Sequence, residues 1–169
     1  MRLGWNAVNK NEVFAVKIVD ASRVNSRKAK QDLQNEIDLL GSLKSPFIVQ
    51  LKAYKKISSK HYIVMELCNG GDLKNLIDTK GGYLAEREAR NVLEQILCGL
   101  VDLRQQEIVH RDLKSANIML NFSDVKPTTL INNSFNLGSY LLKFDYEKQF
   151  ETLSCKITDL GIARKMESN

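Results

Sequence analysis

The amino-acid sequence predicts an α+β fold in two parts, a small β-rich part followed by a helical part. Three strand patterns and one helical pattern fall within the first 67 residues. The strongest helical periodicity lies later, over Ala85–Gln105. A break at Cys68–Gly71 separates the two parts, and its paired glycines favour a linker. With 169 residues, 43% of them hydrophobic, the chain is long enough for one domain with its own core.

The first part reads as strand, helix, strand and strand. In Val13–Asp20 apolar residues surround Lys17, and a lysine inside such a strand is unusual. After a polar, basic stretch at 22–30, helical spacing leads to Leu43, and Pro46 prevents the helix from continuing. Two strands joined by a polar turn follow. The helical apolar positions are Leu33, Ile37, Leu40 and Leu43, and the two strands are Phe47–Lys55 and Lys60–Leu67.

The second part is predicted to be mainly helical. Asp72 begins a short helix that Gly81 and Gly82 end. The long helix Ala85–Gln105 has a broad apolar face, which is typical of burial on more than one side. Short strands are predicted at Ile118–Leu120 and Lys156–Gly161, the second ending in a turn. Between them, residues 122–153 are rich in Asn, Ser and Thr without a sustained period, which favours an inserted loop.

Charge and cysteine content argue against several functions. The net charge of +5 is modest, and the basic clusters Arg27–Lys30 and Lys52–Lys60 are interpreted as solvated surface rather than a nucleic-acid site, because no aromatic stripe interleaves with them. Three widely separated cysteines without a C-x-x-C pair disfavour a zinc site and suit a reducing compartment. No transmembrane segment or signal peptide is visible, so a cytoplasmic location is expected.

One short run carries groups suited to phosphate chemistry. From His110 to Asn117 it places a carboxylate, Asp112, beside a cation, Lys114, and ends on an amide that can ligate magnesium. The string H-R-D-L-K-x-x-N resembles the catalytic loop of protein kinases. The resemblance implies that Asp112 orients the attacking hydroxyl as a base, that Lys114 neutralises the γ-phosphate of ATP, and that Asn117 holds Mg²⁺. Lys114 in this place resembles the serine/threonine group of that family.

Two other stretches match the same family. Phe14–Lys17 resembles the strand whose lysine pairs the α- and β-phosphates, and Glu36 resembles the helix residue that holds this lysine. Taken alone, Lys17 could be a lysine at a solvated edge and Glu36 a solvated helix residue. Their occurrence with the catalytic loop favours the functional interpretation. Asp159–Gly161 resembles the family's D-F-G with leucine for phenylalanine, which implies that Asp159 ligates Mg²⁺.

The segment Met65–Asp72 resembles the hinge between the two lobes of a kinase. The resemblance implies that Met65 lies beside the adenine and that the backbones of Glu66 and Cys68 bond its edge. Asp72 would reach the ribose hydroxyls, and a helix-capping role for it is compatible with that. Ala15 and Met119 would sandwich the adenine. Four positions are expected to stack across the lobes: Leu40, Leu51, His110 and Leu160.

The resemblance covers nearly the whole chain and implies a protein-kinase fold. Residues 1–67 would form the β-rich N-lobe without its glycine-rich loop, and residues 68–169 the start of the helical C-lobe with the insert at about 122–153. The later helices that normally cover the long helix are not in this sequence. Its apolar face is therefore expected to be exposed and the truncated chain to be poorly stable and inactive by itself.

Two functions of different class follow. In the first, the chain is part of an ATP- and Mg²⁺-dependent enzyme that phosphorylates serine or threonine in a protein substrate. In the second, it is a non-catalytic kinase-like remnant that binds a nucleotide or a protein. The first is favoured because each catalytic position present in the chain is intact. Met65–Leu73 and the S-A-N-I-M-L ending faintly resemble the autophagy-initiating kinases.

Overall fold

The computed structural model describes residues 1–9, 12–23, 26–125 and 152–166, and within them it contains eight strands and three α-helices. The predicted insert lies outside the described residues except at its two ends. The strands are β1 Arg2–Trp5, β2 Val13–Asp20, β3 Leu51–Ile57, β4 Lys60–Glu66, β5 Ile108–Val109, β6 Ile118–Phe122, β7 Leu153–Ile157 and β8 Arg164–Lys165. The helices are α1 Arg27–Ser42, α2 Leu73–Thr79 and α3 Glu86–Gln105.

The first part is an antiparallel sheet of four strands in the order β1-β2-β4-β3. In its centre Ala15 pairs with Met65 and Lys17 with Ile63. Alternation along β4 buries His61, Ile63 and Met65 on one face. The predicted strand Val13–Asp20 is confirmed with the bounds that its apolar pattern indicates.

Helix α1 begins at Arg27, earlier than the apolar periodicity predicts. Ser26 caps it, because its hydroxyl accepts a hydrogen bond from the Ala29 N–H at 3.0 Å. The first turn is basic and exposed, so hydrophobic spacing did not reveal it. The predicted apolar face is confirmed, since Leu33, Ile37, Leu40 and Leu43 are all buried.

The strand predicted at Phe47–Lys55 begins only at Leu51. Residues 47–49 instead hydrogen-bond to β7: Val49 N donates to Ile157 O at 2.9 Å, and Ile157 N donates to Phe47 O at 2.8 Å. Residues 47–49 are apolar because they lie between the two parts of the fold, and this makes them look like the start of β3 in the sequence. Their backbone hydrogen bonds go to β7 and not to the four-stranded sheet. The predicted turn is also shorter, because β3 runs to Ile57 and only Ser58 and Ser59 connect it to β4.

The second part packs α2 and α3 around the β6–β7 pair. Asp72 caps α2 by accepting a hydrogen bond from Asn75 N at 2.8 Å, which confirms the predicted helix start. Helix α3 buries Val92, Gly99 and Leu103. On its opposite face Leu93, Leu97 and Val101 are each more than half exposed. The predicted burial of α3 on more than one side is therefore wrong for the described residues. The predicted exposure of its apolar face is confirmed at these three positions.

One hydrophobic core runs through both parts of the described chain. Of the four positions expected to stack, Leu40 and Leu160 belong to this core, Leu51 packs against it and His110 is buried. Their direct stacking stays a prediction. Among the described residues, no helix has the length and apolar character needed to cross a bilayer.

Candidate active site

A cavity of about 260 Å³ lies between the four-stranded sheet and β6. Five residues predicted to surround a nucleotide base line this cavity: Ala15, Met65, Glu66, Cys68 and Met119. Ala15 comes from β2, and Met119 comes from β6 in the second part. The lining also includes Leu3, Val49 and Thr158, which the sequence analysis did not single out.

The hinge segment leaves polar groups available to this cavity. Among the described residues, the backbone N–H and C=O of Cys68 make no hydrogen bond to the protein, although Cys68 is buried. Buried backbone groups normally have a partner, so the edge of a planar heterocycle fits here. Burial raises the pKa of the Cys68 thiol to about 12. Asp72 does not line the cavity, but a β-bridge joins it to Met119, which does.

Lys17 and Glu36 form an ion pair between β2 and α1. The Lys17 ammonium lies 2.6 Å from one carboxylate oxygen of Glu36 and 2.9 Å from the other. The Glu36 side chain is 7% exposed and that of Lys17 33% exposed. The carboxylate therefore holds the lysine while the ammonium stays accessible. This is the contact that the resemblance predicted for these two residues.

Helix α1 is also held to the chain that follows Asp159. The Asn35 side-chain amide donates to Ala163 O at 2.8 Å, and Arg164 makes an ion pair with Asp32. Both contacts lie within one turn of Glu36, since Asp32 and Asn35 precede it on α1. They therefore restrain the helix that positions the Lys17–Glu36 pair.

The predicted catalytic residues of the loop form a single polar network. Lys114 Nζ lies 2.7 Å from Asp112 Oδ2, and the Asn117 amide donates to the same oxygen at 3.0 Å and to Asp112 O at 2.9 Å. The hydrogen bond from Lys114 lowers the pKa of Asp112; its charge and the Asn117 hydrogen bond act in the same direction, and desolvation opposes them. Asp112 is therefore held as a carboxylate, the form that accepts a hydroxyl proton.

Hydrogen bonds connect this loop to the segment that carries Asp159. Thr158 N donates to Asn117 O at 3.0 Å, and His110 Nε2 lies 2.9 Å from Thr158 O as its donor. Arg111 Nε donates to Ile162 O at 2.7 Å.

Arg111 and Asp159 both have left-handed backbones, with φ values of 67° and 66°. Such conformations cost a non-glycine residue about 1–3 kcal/mol and concentrate at functional sites.

Glu36 and Asp159 approach a common point beside Gly161. A Cβ placed on Gly161 would lie 3.2 Å from Asp159 Oδ1 and 3.7 Å from Glu36 Oε2. The predicted phosphate-binding pair and the predicted metal ligand are therefore neighbours in space, although 123 positions separate the two carboxylates in the sequence.

Asp159 and Asn117 offer oxygen donors that fit magnesium. Asp159 has no hydrogen-bonding partner among the described residues, and the Asn117 amide nitrogen is engaged, which leaves its oxygen available. Magnesium commonly takes one or two protein oxygens and completes its shell with water and substrate phosphates. No cluster of three or more His, Cys, Asp or Glu suited to a metal occurs in the described ranges, so an all-protein cage is absent there.

Sequence reasoning missed two residues that contact the Glu66 carboxylate behind the hinge. Lys156 lies 3.1 Å from Glu66 Oε1, and Gln50 N donates to the same oxygen at 2.8 Å. Lys156 stands between apolar residues in β7, the pattern that drew attention to Lys17, and this signal could have identified it. No local signal marks Gln50.

The fold and these clusters define the class of protein. Residues 5–169 match the family model described as the protein kinase domain, and the chain belongs to the protein kinase family. It is 33% identical to serine/threonine-protein kinase 33 of Bos taurus over 152 residues, which are 90% of this chain and 27% of that protein. It is 33% identical to serine/threonine-protein kinase atg1 of Dictyostelium discoideum over 165 residues, covering 88% of this chain and 24% of the relative.

A third relative, serine/threonine-protein kinase ULK3 of Homo sapiens, is 38% identical over 110 residues, covering 65% of this chain and 23% of the relative. The chain thus spans about a quarter of the length of the curated relatives it matches. These comparisons confirm the serine/threonine group and the kinase fold. The finer likeness to autophagy-initiating kinases stays a prediction.

Proposed function

We propose that this chain supplies the nucleotide-binding and catalytic groups of an enzyme that transfers the γ-phosphate of ATP to a serine or threonine hydroxyl of a protein. The observation that carries the proposal is the approach of Glu36 and Asp159 to one point beside Gly161, with Lys17 bound to Glu36. A cation beside a carboxylate that has no hydrogen-bonding partner among the described residues suits a phosphate chain with its metal ion.

The nucleotide base is assigned to the cavity. Ala15 and Met119 would contact the two faces of the adenine, and Met65 would limit the depth of the cavity behind it. The backbones of Glu66 and Cys68 would meet the adenine edge. The N–H and C=O of Cys68, which have no hydrogen-bonding partner among the described residues, support this. Asp72 would bind the ribose with the carboxylate oxygen that does not cap α2.

Phosphate binding is assigned to Lys17, positioned by Glu36, and to Lys114. Asn117 and Asp159 would hold Mg²⁺. When bound, the ion would supply positive charge that neutralises the phosphates. Lys114 can contribute positive charge at the γ-phosphate because its side chain is half exposed and already directed to Asp112.

The acceptor hydroxyl is assigned to Asp112. Because its pKa is lowered, Asp112 is ionised and would accept a hydrogen bond that aligns the hydroxyl. It would take up the hydroxyl proton as the new O–P bond forms and the bond between the γ-phosphorus and the β–γ bridging oxygen breaks, with ADP as the leaving group. Lys114 and Asn117 would hold the carboxylate in place during this step. Positioning of this kind is the larger share of catalysis in phosphoryl transfer.

Mg-ATP binding and phosphate transfer test the proposal separately. Mg-ATP at a hundred times its Kd should stabilise the folded chain by about 2.7 kcal/mol, and Asp159→Asn should weaken this effect. Transfer of labelled γ-phosphate to a serine- or threonine-containing protein should then be lost in Asp112→Asn. Binding without transfer, in the longest protein that contains this chain, would instead support the non-catalytic alternative. Absence of Mg-ATP binding by the folded chain would contradict the enzyme and would leave only a kinase-like module that binds a protein.

A further inference from the structure

A partly buried network lies behind the hinge and joins Glu66, whose backbone is assigned to the adenine edge, to Gln50 and Lys156. The Glu66 carboxylate accepts a hydrogen bond from Gln50 N at 2.8 Å, and Glu66 N donates to Gln50 O at 3.0 Å. Lys156 Nζ lies 3.1 Å from Glu66 Oε1. The end of β4 is thereby tied to Gln50 by two hydrogen bonds and to β7 by an ion pair.

Lys156 is the centre of this network. Its Nζ donates a second hydrogen bond to Pro46 O at 2.8 Å, and its side chain is only 12% exposed. A lysine buried to this extent requires partners, and both partners here lie in the first part of the chain, whereas Lys156 lies in the second. Lys156 therefore joins the two parts of the fold at the hinge.

The position of Lys156 in β7 relates it to the cavity. It pairs across the ladder with Met119, and it lies two residues before Thr158, whose N–H donates to Asn117 O at 3.0 Å directly after the strand ends. Met119 and Thr158 both line the cavity. Asp159, the predicted metal ligand, is three residues further along the chain. If Lys156 moved, Met119 and Thr158 in the cavity wall and the predicted metal ligand Asp159 would therefore move with it.

Both charges of the pair act on the hinge itself. Burial is the main cause that raises the pKa of the Cys68 thiol, the Glu66 carboxylate raises it further, and Lys156 lowers it. Opposing effects on one thiol indicate that both charged groups lie near Cys68, whose backbone N–H and C=O have no protein partner among the described residues.

We propose that Lys156 is a positioning residue, which through Glu66 holds the hinge backbone in the arrangement that receives the nucleotide base. This proposal rests on the proposed function, since it assigns a cause to the affinity of the same cavity. Without the ammonium, the Glu66 carboxylate stays partly buried, and the Gln50 N–H is its one remaining partner in the described part of the chain. The end of β4 then moves to hydrate it, and the Cys68 backbone leaves its place at the cavity.

The test replaces the charge and keeps the length of the side chain. Lys156→Met should weaken Mg-ATP binding about tenfold and accelerate amide hydrogen exchange in residues 66–70. Lys156→Arg should keep affinity and exchange near those of the unchanged chain. The double variant Glu66→Gln with Lys156→Met removes both charges, and it should recover most of the lost affinity, because no buried charge is left unpaired. Lys156→Gln is the second single variant if the methionine variant does not fold.

Lys74→Met is the matched control, because Lys74 pairs with Asp78 on the exposed surface of α2, away from the cavity. It should change neither affinity nor exchange at the hinge. A Lys156→Met chain that is less stable but keeps its affinity and hinge exchange would show an ordinary structural ion pair and overturn the proposal. All variants are made in the longest protein that contains this chain. If that protein without substitution does not bind Mg-ATP, the proposed function fails, whereas hinge exchange still tests the role of Lys156.

Discussion

Lys17 and Glu36 lie 19 positions apart in the sequence and meet through both carboxylate oxygens, at 2.6 and 2.9 Å. Lys17 is fixed by the sheet register, and Glu36 by the buried face of α1. The pair therefore forms only when α1 lies against the sheet. Because Asn35 and Asp32 attach α1 to residues 163 and 164, the segment after Asp159 contributes to the position of Lys17.

Replacing Lys17 tests this pair. Lys17→Met should lower phosphate transfer by about 10²-fold or more, since it removes a cation that interacts with developing phosphate charge. It should also destabilise the fold by about 2 kcal/mol, because the buried Glu36 carboxylate loses its partner. Single-turnover transfer and urea unfolding measure the two effects. Lys17→Met combined with Glu36→Gln should regain stability but not transfer, and transfer at the original rate in either variant would refute the assignment.

The ionisation of Asp112 gives a prediction for pH. Because the hydrogen bond from Lys114 lowers the pKa of Asp112 in the folded chain, the carboxylate should stay ionised as the pH falls below its ordinary range. Above the ordinary pKa of a carboxyl group, the hydrogen bonds from Lys114 and Asn117 to ionised Asp112 contribute fully to the stability of the fold. This contribution is lost as the pH falls through the lowered pKa of Asp112. Lys114→Met should raise this pKa, as followed by NMR titration of the Asp112 carboxyl carbon. An unchanged midpoint would show that Lys114 does not set it.

Asp112→Asn tests the chemistry of the same residue. It keeps the size of the side chain but removes the proton acceptor, so transfer should fall by about 10²–10⁴-fold while Mg-ATP binding changes little. Rapid-quench measurement of the transfer step, together with calorimetric titration of Mg-ATP, separates the two. Equal losses in binding and transfer would instead indicate a structural role for this carboxylate.

Two helical glycines should respond oppositely to alanine. A Cβ on Gly99 of α3 would lie 2.8 Å from Ile157 Cδ1 and 3.1 Å from Phe47 O, so Gly99→Ala should destabilise the fold by about 1–3 kcal/mol. A Cβ on Gly41 of α1 would meet only Leu51 Cδ2 at 3.7 Å, so Gly41→Ala should stabilise it by about 0.5–1 kcal/mol. Urea unfolding measures both. Stabilisation by both alanines would mean that α3 does not pack closely on residue 47.

Thiol labelling tests the burial of the cysteines. Burial raises the pKa of Cys68 and of Cys155 to about 12, so at pH 8 only about one thiol in ten thousand is ionised at either position. Cys98 is exposed on α3. Iodoacetamide should therefore label Cys98 first, and Cys98→Ser should leave the folded chain almost unlabelled, as mass spectrometry would measure. All three should react in urea. Rapid labelling of Cys68 without urea would contradict the buried hinge.

Local pattern was sufficient for some elements and insufficient for others. The apolar run around Lys17 predicted β2, and the apolar spacing of α3 predicted that helix to within one residue. The start of α1 was missed because capping by Ser26, and not hydrophobic burial, determines it. The start of β3 was wrong because residues 47–49 bond to β7, more than 100 positions away. Periodicity reports which side chains are buried, but it does not report which backbone groups pair.

The sequence by itself determined the kinase family and the residue types of the candidate site, because the loop predicted to be catalytic places Asp112, Lys114 and Asn117 within one short segment. Only the tertiary structure decided which distant groups meet: Glu36 with Lys17, Asp159 beside Gly161, and Lys156 with Glu66. The physical reason is the separation of these groups along the chain. A loop constrains neighbouring side chains through its own backbone, whereas contacts between distant segments form only when the sheet, α1 and β7 pack around a common core.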